Sequence, residues 1–455
     1  MPNPTHLKNQ VVVNKRELIN YMKAGCKKKA DWRIGTEHEK FAFNLKNFSS
    51  LTYQGENGIQ ELLQRMIRFG WEPIFENGNI IGLSSHDGCS ISLEPAGQVE
   101  LAGAPLKDIH QTCDEVQKHL QQVKSIAKEM NIGFLGLGHQ PKWSVDASPW
   151  MPKERYKIMR SYMPKKGSRG IDMMVNTCTV QVNLDFDTEK TMTQMFRIGI
   201  ALQPIATALW ANSPFYLGKP SGYLSYRSHI WSDTDPDRCG MLPLVFKEDF
   251  GFERYVDYAL NVPMYFVVRN GKYIDVSGDS FLAFMSGGLK KLPGERPSFS
   301  DWETHLSTIF TEVRLKTFLE MRGADGGPWN RLCGLPAFWV GLLYDADARE
   351  SAWNLVKNWT INDMAELRSK VPVKALNTSF RGKPLIELAE QVLLISHQGL
   401  KNRCCKDSVG MDETHFLNPL FQIVNSGVTP AEELISAYKG RWKKNIDHVF
   451  TEYAY

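Results

Sequence analysis

In the stretch Arg33-Ile34-Gly35-Thr36-Glu37-His38-Glu39-Lys40-Phe41-Ala42-Phe43, two glutamates and two phenylalanines fall on alternate residues. Read as a strand, the segment puts successive side chains on opposite faces. Glu37 and Glu39 then share one face, and Phe41 and Phe43 carry it on into an interior. Two carboxylates side by side repel one another unless a cation or a proton stands between them. The pair points to a divalent metal or a perturbed general acid, against the plainer alternative of two independent glutamates on a solvated strand. No other stretch restricts the fold as much, because a single face has to meet both a core and a charged site.

A second alternation runs from Thr177 to Phe186. Cys178, Val180, Val182, Leu184 and Phe186 face a core, while Thr179, Gln181, Asn183 and Asp185 face something wet. From Val313 to Arg322, Val313, Leu315, Leu319 and Met321 oppose Arg314, Lys316, Glu320 and Arg322, with Phe318 out of pattern. Residues 90–101 read as extended and broken at Pro95 and Gly97, and residues 266–276 as a hairpin turned at Asn270-Gly271. Helical spacing marks 58–69, stopped by Gly70, then 107–130 with Cys113 on its apolar stripe, and 191–210. Capping boxes are expected at Ser300 with Glu303 and at Thr429 with Glu432.

The chain has 455 residues and a formal charge of +4, with 42% hydrophobic and 23% charged residues. Such a balance is that of a globular protein and offers nothing for nucleic acid to bind. Lys27-Lys28-Lys29 is expected on a solvated face. No apolar run is long enough to span a bilayer, and no leader pattern precedes the first motif, so a cytoplasmic protein without a membrane partner is expected. The eight cysteines show no zinc spacing. Without repeats or long linkers, one large α+β catalytic domain over residues 1–455 is expected, residues 1–30 forming an N-terminal extension and helix.

Four extended segments thus present acids or amides on one face: Glu37 and Glu39, Glu94 and Glu100, Gln181 and Asn183, and Glu320. Oxygen donors of this kind suit Mg²⁺, and strands of one sheet can share two or three such ions. Arg169, Arg227, Arg314 and Arg322 recur beside them, and acid with base in one cleft points to nucleotide phosphates bridged by metal. There is no GxxxxGK[ST] sequence, and Gly323 to Gly327 is a weak signal on its own.

The motifs Arg33 to Phe43, DGCSISLEPAGQVELAGAPL from Asp87, TCTVQVNLDF from Thr177, YRSHIWSDTD from Tyr226 and EVRLKTFLEMRGADGGPW from Glu312 closely resemble the plant-type glutamate–cysteine ligases of plants and many proteobacteria. The resemblance implies a glutamine-synthetase-like curved antiparallel sheet with helices packed on its outer face. It implies Glu37, Glu39, Glu94, Glu100 and Glu320 as Mg²⁺ ligands, with Gln181 where more distant ligases often carry histidine. Arg227, Arg314 and Arg322 are the implied catalytic arginines; Arg169, Arg227, Arg322 and Asn183 are the implied contacts to substrate or nucleotide.

The implied reaction joins the γ-carboxylate of L-glutamate to the amine of L-cysteine through a γ-glutamyl phosphate made from ATP, the first step of glutathione synthesis. Glutathione itself is then a candidate feedback inhibitor. In plant relatives a regulatory disulfide links the segments matching Cys113 and Cys333, so the same pair is expected here. The second plant pair is absent, Val276 and Lys291 standing in its place. The rival readings are a glutamate ligase with another amine acceptor and a catalytically inactive, redox-sensing nucleotide-binding protein. Tyr156, Met159 and Tyr162 lie near the expected cysteine pocket without a defining pattern, and both monomer and homodimer remain open.

Overall fold

The structure is a computed structural model and describes residues 9–455. Its centre is a nine-stranded sheet made of β1 (Ile34–Asn44), β2 (Glu72–Glu76), β3 (Asn79–Ser84), β4 (Ser90–Leu93), β5 (Val99–Ala102), β6 (Ile132–Leu135), β7 (Thr179–Leu184), β8 (Val313–Leu315) and β9 (Leu319–Asp325). The spatial order is β8-β9-β7-β1-β5-β4-β3-β2, with β6 pairing the far end of β1. All of these pairs are antiparallel. Neighbours such as β1 and β7 are distant in sequence, so no short turn sets their register; the buried face of each strand does.

The alternation in β7 explains its seat. Val180, Val182 and Leu184 are fully buried against α2 (Glu189–Leu209) and α4 (Gly334–Leu343), which cover one face of the sheet. Burying each such side chain stabilises the fold by about 1.5–3 kcal/mol. Helix α1 (Ile109–Met130) covers β1 and β6 from the same side. Its start is capped by Asp108, whose Oδ1 accepts the Gln111 N–H at 2.8 Å, and its end by Asn131 in the left-handed region. On the opposite face, Phe41 and Phe43 are sealed under the C-terminal segment by Trp442, Val449 and Phe450.

Some local expectations shift. The run 313–322 is not one strand but a hairpin: the Lys316 N–H bonds to the Phe318 carbonyl at 2.9 Å, and Phe318 leaves the pattern because it sits in that turn. A bulge between Met321 and Ala324 then re-aims Arg322. The predicted cap at Ser300 lies two residues earlier, where Ser298 and Asp301 form the capping box and Asp301 also holds Arg269 at 2.8 Å. The box at Thr429 and Glu432 is as read, as is the turn at Asn270-Gly271. Lys28 and Lys29 are exposed as expected, but Lys27 is half-buried; its Nζ lies 2.8 Å from the buried Asp185, which therefore faces an ion pair. Among the described residues no helix is long and apolar enough to cross a membrane.

Candidate active site

Register alone brings the acidic positions into one row. Glu37 lies opposite Gln181 and Glu39 opposite Glu100; Asn183 stands between Gly35 and Glu320. Gly35 makes this possible, because a Cβ there would stand 3.3 Å from the Asn183 side chain. With that room, Asn183 Nδ2 donates to Glu37 Oε1 at 2.8 Å.

A cleft of about 310 Å³ opens over this row, on the face opposite α2 and α4. Glu37, Glu39, Glu94, Glu100, Gln181, Arg227, Arg314 and Arg322 all line it. Three of the predicted positions do not. Asn183 is held against Glu37, Glu320 is fully buried beneath the cleft, and Arg169 lies beyond Tyr226, donating to that hydroxyl at 3.2 Å.

The carboxylates divide into two states. Burial, with Glu320 and Glu100 nearby, raises Glu37 to about 7. Burial together with Glu94 and Glu100 holds Glu39 well above the ordinary range, and burial with Glu94 raises Glu100. None of Glu39, Glu94 and Glu100 forms an ion pair among the described residues. Glu39 accepts the Thr179 N–H at 3.0 Å, and Glu100 accepts the Ser92 hydroxyl. At Glu320 burial also pushes upward, but Arg314, Lys316 and Arg322 outweigh it and hold this carboxylate well below the usual range. Arg314 binds it by Nε at 2.9 Å and Nη2 at 2.6 Å, Lys316 Nζ lies 3.2 Å away, and Arg322 donates to it as well.

As it stands, then, Glu320 is occupied by guanidinium groups. Gln181 is engaged too, its Oε1 accepting from Arg322 at 2.8 Å. Hard oxygen donors with no directly bonded cation suit a divalent ion such as Mg²⁺, and Glu39, Glu94 and Glu100 are that set, with Arg227 and Lys153 near them. As placed, no three His, Cys, Asp or Glu groups among the described residues stand together so that they could hold a metal ion.

Arg227 enters the cleft from α3 (Tyr226–Trp231), whose start is pinned from below. Asp325 accepts from the Ser225 and Ser213 hydroxyls at 2.8 and 2.7 Å and from the Asn212 N–H at 2.8 Å. The guanidinium of Arg227, buried at 4% exposure, reaches the Arg322 carbonyl at 3.1 Å. Asp325 was not picked out in the sequence, where it reads as part of a glycine-rich loop.

Facing the acids, Tyr156, Met159, Met173 and Met174 form an apolar wall, and Lys153 and Tyr156 both donate to the Leu93 carbonyl, at 3.0 and 2.6 Å. Tyr162 stays outside, packed edge-on against Tyr265. The signal for this wall was the one-turn spacing of Tyr156 and Met159 and the Met173-Met174 pair, neither distinctive alone. Behind the sheet, Cys113 and Cys333 are joined in a disulfide with Cα atoms 5.6 Å apart.

Residues 33–452 match glutamate-cysteine ligase family 2 (GCS2). The chain is 57% identical over 444 residues to the chloroplastic glutamate–cysteine ligase of Brassica juncea, covering 97% of this chain and 84% of that protein. It is 56% identical to the chloroplastic glutamate–cysteine ligase B of Oryza sativa subsp. japonica, covering 97% and 88%. Among solved structures it is similar to the glutamate–cysteine ligase of Francisella tularensis in complex with AMP, with TM-score 0.57 at 12% identity over 94% of this chain and 89% of that one. This likeness agrees with the α+β, glutamine-synthetase-like fold expected. The cytoplasmic placement is overturned, since the relatives are named chloroplastic and point to a plastid. Composition does not record a compartment, and a leader pattern missing from a sequence is no evidence for one. Matched over nearly its whole length by family and relatives alike, the chain belongs to glutamate-cysteine ligase family 2.

Proposed function

We propose that this chain couples ATP cleavage to amide-bond formation between the γ-carboxylate of L-glutamate and the amine of L-cysteine, yielding γ-glutamylcysteine, ADP and phosphate. The chain works as a single catalytic domain. The observation that carries the reading is the cleft itself, with uncompensated acid at Glu39, Glu94 and Glu100, guanidinium groups at Arg227 and Arg322, and a sulfur-rich wall opposite.

A carboxylate does not acylate an amine, because oxide is a poor leaving group. The glutamate γ-carboxylate first attacks the γ-phosphate of ATP in line, releasing ADP. The amine then attacks the acyl carbon, loses a proton and expels phosphate. Mg²⁺ held by Glu39, Glu94 and Glu100 supplies charge neutralisation to the phosphates. Arg227 and Arg322 provide forked donors for a substrate carboxylate or a phosphate. Arg314 acts through Glu320, fixing the charge beside Arg322, and Asn183 orients Glu37. Tyr156 and the three methionines exclude water, which would hydrolyse the acyl phosphate, and offer polarisable contact to a thiol side chain.

Phosphate release with Mg²⁺-ATP and glutamate, run with cysteine, ammonia and other amino acids, tests this. Cysteine is expected to give the largest kcat/KM. A larger value with another amine would show the acceptor to be misread, and no turnover with any would overturn the ligase reading.

The Cys113–Cys333 disulfide is proposed as a redox tuner of activity, closing a loop of 220 residues. In the chain-entropy model such a closure contributes up to about 5 kcal/mol. Peptide masses under non-reducing conditions, followed by activity before and after reduction, test it; unchanged activity after complete reduction contradicts it. Glutathione, with the same γ-glutamyl head as the product, is expected to compete with glutamate.

A further inference from the structure

A cavity of about 530 Å³, larger than the acidic cleft, lies across α3 from it. Its other walls are the loop around Met241 to Phe246 and helix α5 (Ile361–Lys374). Arg227 lines the cleft, while Ser228 and His229, the next two residues, line this chamber, and Trp231 reaches both. A narrow space lined by Arg227, Ser228, Glu312 and Arg322 lies between the two.

The chamber is apolar in its body and polar at one end. Met241, Phe246, Met364 and Val373 form the walls, and the rings of Tyr223 and His229 stack at 4.1 Å beside them. At the polar end a recess of about 10 Å³, bounded by Gln203, Ser228, Glu312 and Arg368, has room for about one oxygen atom. Gln203 is 2% exposed, and neither of its amide atoms has a partner. Arg368 donates from Nε to Glu312 at 3.1 Å, but its Nη2 is buried without an acceptor. Buried donors left unmade are costly, and the two residues that carry them both border this one recess.

We propose that this chamber is a binding site for a small carboxylic acid with an apolar body. One carboxylate oxygen enters the recess and accepts from Arg368 Nη2 and Gln203 Nε2, and the body lies on Met241, Phe246, Met364 and Val373. A carboxylate gains a charge-assisted bond to the Arg368 guanidinium, set against the Glu312 carboxylate that already pairs with it and also borders the recess. An occupant touches Ser228 and His229, so its binding is coupled through α3 to Arg227 and to whatever Arg227 holds. By linkage the coupling is reciprocal.

The test is calorimetric titration of the whole protein with 3-phenylpropanoate and octanoate and with their primary amides. Saturable binding of the acids is expected, with the amides weaker by about tenfold, as loss of a charge-assisted bond implies. Arg368→Met should weaken the acids by a similar factor, and Met364→Trp should abolish binding by filling the body. Binding is compared well below each variant's melting temperature, since Arg368→Met also breaks the ion pair with Glu312 and Met364 is buried. Equal binding of acid and amide, undiminished binding to both variants, or no saturable binding overturns the proposal.

These arms need no turnover, so their failure is separable from failure of the ligase reading. The coupling arm alone rests on that reading: saturating glutamate should change the Kd of 3-phenylpropanoate at least about threefold. An unchanged Kd would remove the coupling through α3.

Discussion

Glu39 and Glu320 lie in one sheet, only two strands apart, yet they are in opposite electrostatic states. Around Glu320 the protein brings Arg314, Lys316 and Arg322, and the carboxylate is held ionised although it is fully buried. Around Glu39 it brings further acid, Glu94 and Glu100, and ionisation is opposed. The first arrangement is complete within the chain. In the proposed reading a cation completes the second, and this difference separates the part of the cleft that supports from the part that reacts.

The largest expected effect is on the incomplete side. Glu39→Gln removes one ligand charge without changing shape, and turnover should fall by about three orders of magnitude, since a bound metal is worth several kcal/mol to the transition state. Melting temperature should be nearly unchanged. Phosphate release under saturating substrates measures it, and near-normal turnover would erase the distinction between the two sides.

On the complete side the effect moves from rate to stability. Arg314→Met leaves Glu320 buried with fewer partners and should destabilise the fold by about 3–5 kcal/mol in urea titration. Arg314→Met combined with Glu320→Met should recover much of that loss, because the stranded charge is gone. A double variant as unstable as the sum of the singles would mean the two groups do not act as a pair.

A pH series sharpens the contrast. Glu37 is raised from an ordinary 4.5 to about 7, chiefly by burial. Between these values the folded chain binds more protons than the unfolded chain, so its stability falls as pH rises from about 4.5 to about 7. Urea midpoints in EDTA should show this slope, and Glu37→Gln should lessen it by Glu37's share, Glu39 and Glu100 supplying the rest. The smallest effect is expected for Ser92→Ala, which removes the hydroxyl donor to Glu100. It should raise the Mg²⁺ concentration for half-maximal rate by about tenfold at unchanged stability.

The alternation of residues 33–43 and 177–186 made the inward and outward faces of the two central strands legible, because a period of two needs only local sequence. Which acids meet was not legible in the same way. Glu39 faces Glu100 and Glu37 faces Gln181 through pairings between distant segments. Glu320 read as one more metal ligand, since a list of acids does not reveal that a turn at 316–318 folds Arg314 back over it. Tyr156 and Met159 read as near the cysteine pocket, but the supporting Asp325 and the wall's Met173 and Met174 were missed for the same reason: each has its meaning from partners far along the chain. The chamber behind α3 is assembled from residues near 203, 228 and 368, and no single stretch carries its signature.

In the proposed site, Glu39, Glu94 and Glu100 exchange protons for metal. Calorimetric titration of Mg²⁺ at pH 7 in two buffers of different ionisation enthalpy tests it most directly. Saturable binding with net proton release is expected in the wild type, and loss of both in Glu39→Gln. Identical affinity and identical proton release in the two proteins would contradict it.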